Sequence, residues 1–164
     1  MNLYIDFDGV ILDTIPLLDR ILLERNIDLK DEYKKREVYA RLDWEKIVNE
    51  TPQINDSIKH IDRLRKSNKF NIAILTHVNS MQEAIAKINY LEKELPDITK
   101  IIVPKEISKA KMLETKNAIL VDDYGVNLDE WSKEDGISIK FSTKVDKVYK
   151  YKSISKLDQL LDLF

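Results

Sequence analysis

Short apolar runs rich in isoleucine and valine recur along the chain, and several of them are apolar throughout. They lie at residues 3–7, 71–76, 100–103, 118–122 and 137–141. Runs that are apolar throughout are typical of strands covered on both faces. Segments with the spacing of amphipathic helices separate most of them. The pattern therefore predicts an α/β protein with a doubly wound parallel sheet of about five strands and right-handed crossovers.

The segments between the strands place apolar residues three and four positions apart, which is typical of helices that pack against a core. Such helices are predicted at residues 56–66, 80–94 and 155–163, and a short polar helix at residues 129–133. These helices are the expected crossovers of the parallel sheet.

The longest interval between predicted strands, residues 14–54, is too long for a plain loop and carries further helical patterns at 31–42 and 43–50. One interpretation is a small helical cap over the sheet edge, inserted into a core domain of residues 1–13 and 55–164. The alternative is a helical excursion packed on one face of the sheet. The cap is favoured because the segment directly follows an acidic turn, and lids often close such sites.

The first predicted strand ends in two acids and a glycine, Asp6, Asp8 and Gly9. Burying a carboxylate is costly unless a cation or hydrogen-bond donors compensate it. The simplest structural explanation is an acidic turn, because Asp-Gly is a common turn pair. Two acids at the end of a buried strand also favour a metal or phosphate site.

A second acidic pair, Asp122 and Asp123, ends the apolar run at 118–122. As a structural alternative, Asp123 could cap the next helix while Asn127 is solvated. In a parallel sheet, however, the carboxyl ends of the strands line one crevice, so the two acid pairs are expected to meet there. An oxygen-rich site of this kind suits Mg²⁺.

The charge and the cysteine content of the chain exclude several classes of function. The 164 residues suit one domain with a small insertion, and 27 Lys+Arg against 29 Asp+Glu give a net charge of -2. Without a basic excess, no nucleic-acid polymer is expected as a partner. The absence of cysteine excludes disulfides, zinc-thiolate sites and thiol catalysis.

No apolar stretch approaches the ~20 residues of a membrane span and no signal peptide is visible, so a cytoplasmic protein is expected. The oligomeric state stays open.

A carboxylate at a strand end can attack phosphorus and form an aspartyl-phosphate. The reaction needs Mg²⁺, donors for the phosphoryl oxygens and an acid for the leaving group. Asp6 is the candidate nucleophile and Asp8 the candidate acid/base. Thr76 offers a hydroxyl, although it could instead cap a helix, and His77 could contact phosphate or lie on the surface.

A cation is also needed, and several lysines precede the second acidic pair: Lys105, Lys109, Lys111 and Lys116. Most lysines in such a run are solvated.

Taken in order, these residues resemble the four motifs of the haloacid dehalogenase-like (HAD) phosphohydrolases. The matching segments are residues 6–10, residues 74–76, a lysine after them, and residues 120–123. The resemblance spans residue 3 to about residue 141. The stretch 122–131 further resembles the branch that includes the 5'(3')-deoxyribonucleotidases, and the insertion after the first motif matches the family's C1-type cap.

The resemblance implies a metal site and its chemistry. Asp6 would be the nucleophile and a Mg²⁺ ligand. Asp8 would be the acid/base and give its backbone carbonyl to the metal. Asp123 matches the ligating acid of the fourth motif, while Asp122 and Asn127 would support the ligands.

For phosphate binding, the resemblance implies the Thr76 side chain and the His77 amide. Spacing suggests Lys109 as the motif lysine, with Lys111 as the alternative. In a helical segment, both cannot easily point inward, because residues two apart face different sides.

The implied function is Mg²⁺-dependent hydrolysis of a small phosphomonoester, with a 5'-nucleotidase-like subtype and a (deoxy)nucleotide as one interpretation. A non-catalytic phospholigand-binding or partner-binding protein on the same fold, or a phosphotransferase or mutase, is the alternative. Tyr39 and Trp44 are candidates for an aromatic substrate clamp, although aromatic residues in helices are more often core.

Overall fold

A sheet of six parallel strands forms the centre of the computed structural model, which describes residues 1–144 and 147–164. The strands are β1 (Asn2–Ile5), β2 (Asn71–Val78), β3 (Thr99–Pro104), β4 (Ile119–Asp122), β5 (Ile137–Phe141) and β6 (Lys152–Ile154). Their spatial order is β3-β2-β1-β4-β5-β6. The predicted parallel α/β sheet is thereby confirmed, and β1 lies between the strands that carry the other candidate site residues.

Helices cover both faces of this sheet. They are α1 (Thr14–Glu24), α2 (Glu32–Tyr39), α3 (Trp44–Glu50), α4 (Ser57–Lys66), α5 (Met81–Glu94), α6 (Gly125–Lys133) and α7 (Leu160–Leu163). Successive side chains of a strand point to opposite faces. Accordingly, Leu3 and Ile5 join one hydrophobic cluster with Ile61 of α4, while Tyr4 joins a second cluster with Trp131 of α6.

Strand β6 is absent from the sequence prediction. Only three residues long, it offers Lys152 and Ser153 as exposed side chains and buries Ile154 alone. A strand this short gives too few positions for any periodicity to emerge. It occupies the sheet edge beside β5, far from the central strands.

Several element boundaries differ from the prediction. Strand β1 ends at Ile5, so Asp6 and Phe7 leave the sheet, while β2 continues past Thr76 to Val78. Helix α6 begins at Gly125, one turn earlier than predicted. The predicted C-terminal helix at 155–163 divides into a 3₁₀ turn and α7.

The insertion 14–54 contains three helices, two of which begin at aspartate caps. Asp31 accepts a hydrogen bond from the Lys34 amide, and Asp43 accepts one from the Lys46 amide. Helix α2 ends at Tyr39, before the end of the predicted run 31–42, and the Asp43 cap then begins α3. Helix α3 packs against α5, and the insertion shares one hydrophobic cluster with the sheet. Its role as a cap stays a prediction.

Throughout the described ranges, no helix combines the length and the apolar character that crossing a membrane requires.

Candidate active site

The carboxyl ends of β1, β2 and β4 meet at one edge of the sheet, where the acidic and hydroxyl side chains collect. The Asp6 amide donates to the Val121 carbonyl at 2.9 Å, which fixes the exit of β1 beside β4. A cleft of about 280 Å³ opens at this edge. Its lining includes Asp6, Asp8 and Asp123 from the core and several side chains of the insertion. This is the position at which parallel α/β sheets bind ligands.

Three carboxylates converge at the base of the cleft. Asp6, Asp122 and Asp123 each offer one oxygen, and these oxygens lie within 4.8 Å of one another. Asp6 and Asp122 are buried and Asp123 is half-buried. The structure therefore brings together the two acidic pairs that are remote in the sequence.

Lys109 is the cation that reaches these acids. Its Nζ lies 2.8 Å from Asp6 Oδ1 and 2.7 Å from Asp122 Oδ2, and the side chain is buried. Burial acts to lower its pKa, but attraction to Asp122 and Asp6 outweighs it and raises the pKa of Lys109. Lys109 and Lys111 share a 3₁₀ turn, and Lys111 is exposed.

Asp122 uses both of its oxygens within the protein. Oδ2 accepts hydrogen bonds from Lys109 and from Asn127 Nδ2 at 2.8 Å, and Oδ1 accepts from the Tyr124 amide at 2.8 Å. Asn127 is buried on the first turns of α6, because that helix starts at Gly125. Asp122 therefore anchors the site from beneath the cleft, whereas Asn127 both holds Asp122 and lines the cleft.

Asp123 has the opposite environment. Its carboxylate accepts no hydrogen bond from any residue within 1–144 or 147–164, although Lys140 binds its backbone carbonyl. Burial, followed by repulsion from Asp122 and Asp6, raises its pKa well above the ordinary value. Gly9, at a φ of +70°, packs so closely on it that a Cβ there would collide with the carboxylate.

The charges of these carboxylates suit a divalent cation. Burial, followed by repulsion from Asp122, raises the pKa of Asp6 to about 7, despite the opposing effect of Lys109. Within the described residues, Lys109 is the lysine ion-paired with these carboxylates, while Lys140 binds the backbone carbonyl of Asp123 and the Asp123 carboxylate has no hydrogen-bond donor. Hard oxygen ligands with excess negative charge are what Mg²⁺ binds in proteins, so these residues fit that ion.

Asp8 lines the same cleft, with 20% of its side chain exposed. Its Oδ1 accepts a hydrogen bond from Thr14 Oγ1 at 2.8 Å, and its Oδ2 lies 2.5 Å from Lys87 Nζ. Both oxygens are therefore held at once, which fixes the orientation of the carboxylate.

Thr76 is buried within β2, and its hydroxyl lies 3.2 Å from Lys87 Nζ. The helix-cap interpretation of Thr76 is wrong, because Ser80 caps α5 by accepting from the Glu83 amide. The His77 ring is bound through Nε2 to the Ile107 carbonyl at 2.9 Å. Burial, and then the positive charge of Lys109, lowers the pKa of His77 to about 4.

Sequence reasoning missed Lys87, which lies on α5. The side chain is completely buried and its Nζ lies 2.7 Å from Glu83 Oε1, as well as near Asp8 and Thr76. Its helix was interpreted only as an amphipathic crossover. The available signal was the spacing of Glu83 and Lys87, four residues apart on one helical face.

Of the two aromatic candidates in the insertion, only one offers an accessible ring. Trp44 is 2% exposed, and its Nε1 donates to the Tyr39 carbonyl at 2.7 Å, so it is chiefly core. Tyr39 is half-buried and lines the cleft together with Lys105 and Tyr124. Lys105 Nζ lies 5.2 Å from the centre of the Tyr124 ring.

No protein-family model matches this sequence, and no curated protein matches it significantly. Solved structures do match the fold. A hydrolase from Pseudomonas syringae has a TM-score of 0.66 at 13% identity, covering 99% of this chain and 97% of the other. A HAD phosphatase from Thermococcus onnurineus has a TM-score of 0.64 at 15% identity, covering 99% and 96%.

A third similar structure is the D,D-heptose 1,7-bisphosphate phosphatase of B. bronchiseptica, complexed with magnesium and phosphate. Its TM-score is 0.59 at 12% identity, and the match covers 100% of both chains. These likenesses show that the chain has the fold of the HAD-superfamily hydrolases. The finer resemblance to the deoxyribonucleotidase branch stays a prediction.

Proposed function

We propose that this protein is a Mg²⁺-dependent phosphomonoester hydrolase that acts through an aspartyl-phosphate on Asp6. One observation carries the proposal: Asp6 is paired with Lys109 at 2.8 Å beside Asp123, whose carboxylate has no donor in the described chain. A candidate nucleophile in the cleft, a buried cation beside it and carboxylates that can hold a divalent ion thus lie together. The fold shared with HAD hydrolases and phosphatases supports the same chemistry.

Asp6, Asp123 and the backbone carbonyl of Asp8 would hold the Mg²⁺ ion. Asp122 and Asn127 would keep Lys109 and the loop after β4 in place through their hydrogen bonds. When bound, the ion supplies positive charge that offsets the repulsion between the Asp6 carboxylate and the phosphate dianion.

In the first step, a carboxylate oxygen of Asp6 attacks phosphorus and the bond from phosphorus to the ester oxygen breaks. Asp8, in its protonated form, donates its proton to the departing ester oxygen. The Thr76 hydroxyl, the His77 amide and the Lys109 ammonium bind the phosphoryl oxygens. The products of this step are the free alcohol and a phosphorylated Asp6.

In the second step, water attacks the phosphorylated Asp6. Asp8, now a carboxylate, takes a proton from the water, and the bond between phosphorus and the Asp6 oxygen breaks. Inorganic phosphate leaves, Asp6 is a carboxylate again, and Asp8 again carries the proton for the next cycle.

The cleft suits a small phosphorylated metabolite as substrate. Its volume is about 280 Å³, and its walls offer the aromatic rings of Tyr39 and Tyr124 together with the cations of Arg36 and Lys105. Arg36 Nη1 lies 3.6 Å from Glu106 Oε1, so an ion pair joins the insertion to the loop after β3. Aromatic faces beside cations suit a (deoxy)nucleotide, which is one candidate within this substrate class.

The test measures phosphate release from p-nitrophenyl phosphate with Mg²⁺, for the wild type and for Asp6→Asn. We expect Asp6→Asn to lose at least ~10³-fold in kcat, as deletions of catalytic nucleophiles do elsewhere. Asp129→Asn is the matched control, because Asp129 lies outside the cleft and pairs with Lys150 at 2.7 Å. Undiminished turnover by Asp6→Asn would rule out the mechanism. Tight binding of phosphate esters without turnover by the wild type would favour a non-catalytic binding protein instead.

A further inference from the structure

We infer that Lys87 is a positioning residue that holds Asp8 and Thr76 in the geometry needed for phosphoryl transfer. The inference rests on the proposed function, because it assigns Asp8 the proton transfers and Thr76 a phosphoryl contact. Neither the sequence motifs nor the shared fold points to a lysine on α5.

The Lys87 ammonium joins parts of the site that come from different elements. Its Nζ lies 2.5 Å from Asp8 Oδ2, in the loop after β1, and 3.2 Å from Thr76 Oγ1, in β2. It also lies 2.9 Å from the His77 carbonyl and 2.7 Å from Glu83 Oε1. An ammonium has three donors, so these four acceptors use all of its capacity.

Charge neutralisation alone does not explain this arrangement. Glu83 is buried and lies one helical turn from Lys87, so these two residues already form a neutral pair within α5. Glu83 Oε2 is further held by the Asn79 amide at 2.7 Å. A purely structural pair of this kind can be replaced by apolar residues without loss of stability. The contacts of Lys87 with Asp8 and Thr76 are therefore not explained by pairing with Glu83, and they indicate a role in the site.

Lys87 also decides which way the Thr76 hydroxyl donates. Because the ammonium donates into Thr76 Oγ1, the hydroxyl proton must point to another acceptor. In this structure that acceptor is the His77 carbonyl at 3.3 Å, which is long for a hydroxyl donor. A phosphoryl oxygen in the cleft would be a better partner, so Lys87 leaves the Thr76 hydroxyl ready to donate to it.

The same ammonium, together with Thr14, restricts Asp8. Each oxygen of the Asp8 carboxylate has one donor, Thr14 at 2.8 Å and Lys87 at 2.5 Å. Holding a catalytic group in one orientation removes part of the entropy cost of reaching the transition state. Lys87 thus acts on the leaving group through Asp8, without touching the substrate.

Two aromatic rings shield this ammonium from water. The centre of the Phe7 ring lies 5.5 Å from Lys87 Nζ, and that of Trp44 lies 5.3 Å from it. Trp44 belongs to the insertion, so its buried position has a purpose beyond core packing. Because the ammonium itself is completely buried, its hydrogen bonds are stronger and better fixed than they would be on the surface.

The test uses the double variant Glu83→Gln/Lys87→Met, since Lys87→Met alone would leave a buried unpaired glutamate. Its kcat and KM are compared with those of the wild type on an aryl phosphate with an acidic leaving group and on an alkyl phosphate. Glu83→Gln alone is the matched control, because it keeps Lys87 beside Asp8. Circular dichroism checks whether each variant is folded.

We expect the double variant to lose about 10²-fold in kcat on the alkyl phosphate and much less on the aryl phosphate, with a smaller change in KM. An acidic leaving group departs with little help from a proton donor. Misplacing Asp8 should therefore reduce kcat on the aryl phosphate only slightly. The Glu83→Gln variant should keep the wild-type dependence on the leaving group. An equal loss on both substrates by the folded double variant, or no loss at all, would overturn the inference.

A rescue experiment covers the case in which the double variant does not fold. Because the chain has no cysteine, Lys87→Cys can be alkylated selectively with 2-bromoethylamine in denaturant and refolded beside refolded wild type. The product regains an ammonium at this position, and we expect the wild-type dependence on the leaving group to return. A refolded, aminoethylated protein that keeps the enlarged preference for the aryl phosphate would contradict the inference. Wild type without Asp6-dependent turnover would instead contradict the proposed function itself.

Discussion

One carboxylate oxygen of Asp123 lies within 4.8 Å of one of Asp6, yet the two acids are compensated very differently. Asp6 has Lys109 at 2.8 Å, whereas the Asp123 carboxylate has no donor within residues 1–144 and 147–164. The pair therefore carries negative charge that the described chain leaves unbalanced. A cation shared by these two residues would balance that charge.

Mg²⁺ should stabilise the protein more at pH 8 than at pH 6. The raised pKa of Asp6, about 7, and that of Asp123 favour the protonated forms in the folded, metal-free protein. The stability that protonation of these two groups contributes is fully present below the ordinary carboxyl pKa. It is lost as the pH rises through the pKa values that the two groups have in the folded protein. Bound Mg²⁺ removes the cost of ionising both groups, so the rise in Tm on adding Mg²⁺ should grow with pH. Differential scanning fluorimetry with Mg²⁺ or with EDTA measures it.

Asp123→Asn should raise the Tm of the metal-free protein by a few degrees, since it removes a repelled carboxylate, and it should abolish the response to Mg²⁺. Asp129→Asn serves as the control, because its carboxylate lies outside the cleft and should leave the response unchanged. The metal site is misassigned if Asp123→Asn and wild type respond equally to Mg²⁺.

Lys109→Met should destabilise the protein by about 3–5 kcal/mol, because two buried carboxylates, Asp6 and Asp122, lose their shared partner. Urea denaturation measures the free energy of unfolding. Lys111→Met is the matched control on the same 3₁₀ turn, where the side chain is exposed, and it should change stability by less than about 0.5 kcal/mol. Equal effects of the two substitutions would show that Lys109 does not hold the acids together.

His77 should make the protein less stable in mild acid. Burial lowers its folded pKa to about 4, below the ordinary 6.5, so the unfolded chain binds the proton more readily. Stability from this residue is complete above pH 6.5 and is lost as the pH falls toward 4. As the pH falls from 7 to 4, the free energy of unfolding of the wild type should therefore decrease by on the order of 1 kcal/mol more than that of His77→Gln. This figure allows for solvent screening of the half-buried ring. Urea denaturation of both proteins across this range would contradict the account if their difference stayed constant.

The central strands and their acids were predictable, because each link in the inference is local. Apolar runs at 3–7 and 118–122 give strands, and acids at their ends give a charged edge once the strands are parallel. Asp6, Asp122 and Asp123 meet for that reason. The prediction of the site therefore depends on the rule that the carboxyl ends of parallel strands lie at one edge of the sheet, rather than on any single residue.

Other features depend on tertiary contacts that no local pattern encodes. Strand β6 forms because Ile154 is buried beside Phe141, although its neighbours are polar. In the sequence, Lys87 is an ordinary lysine on an amphipathic helix. Only the fold brings it into contact with Asp8. Periodicity separates buried from exposed faces, but it cannot tell that one buried position holds a charge.

The central claim, a covalent phosphoryl group on Asp6, is tested most directly by trapping it. The Asp8→Asn variant is mixed with p-nitrophenyl phosphate and Mg²⁺, quenched in acid after one turnover and digested for mass spectrometry. Without the Asp8 base, the intermediate should hydrolyse slowly, while an acidic leaving group still departs. We predict a burst of p-nitrophenol matched by one phosphoryl group on the peptide that contains Asp6, and neither signal in Asp6→Asn/Asp8→Asn. A burst without that label, or the same label after Asp6 is replaced, would contradict the account.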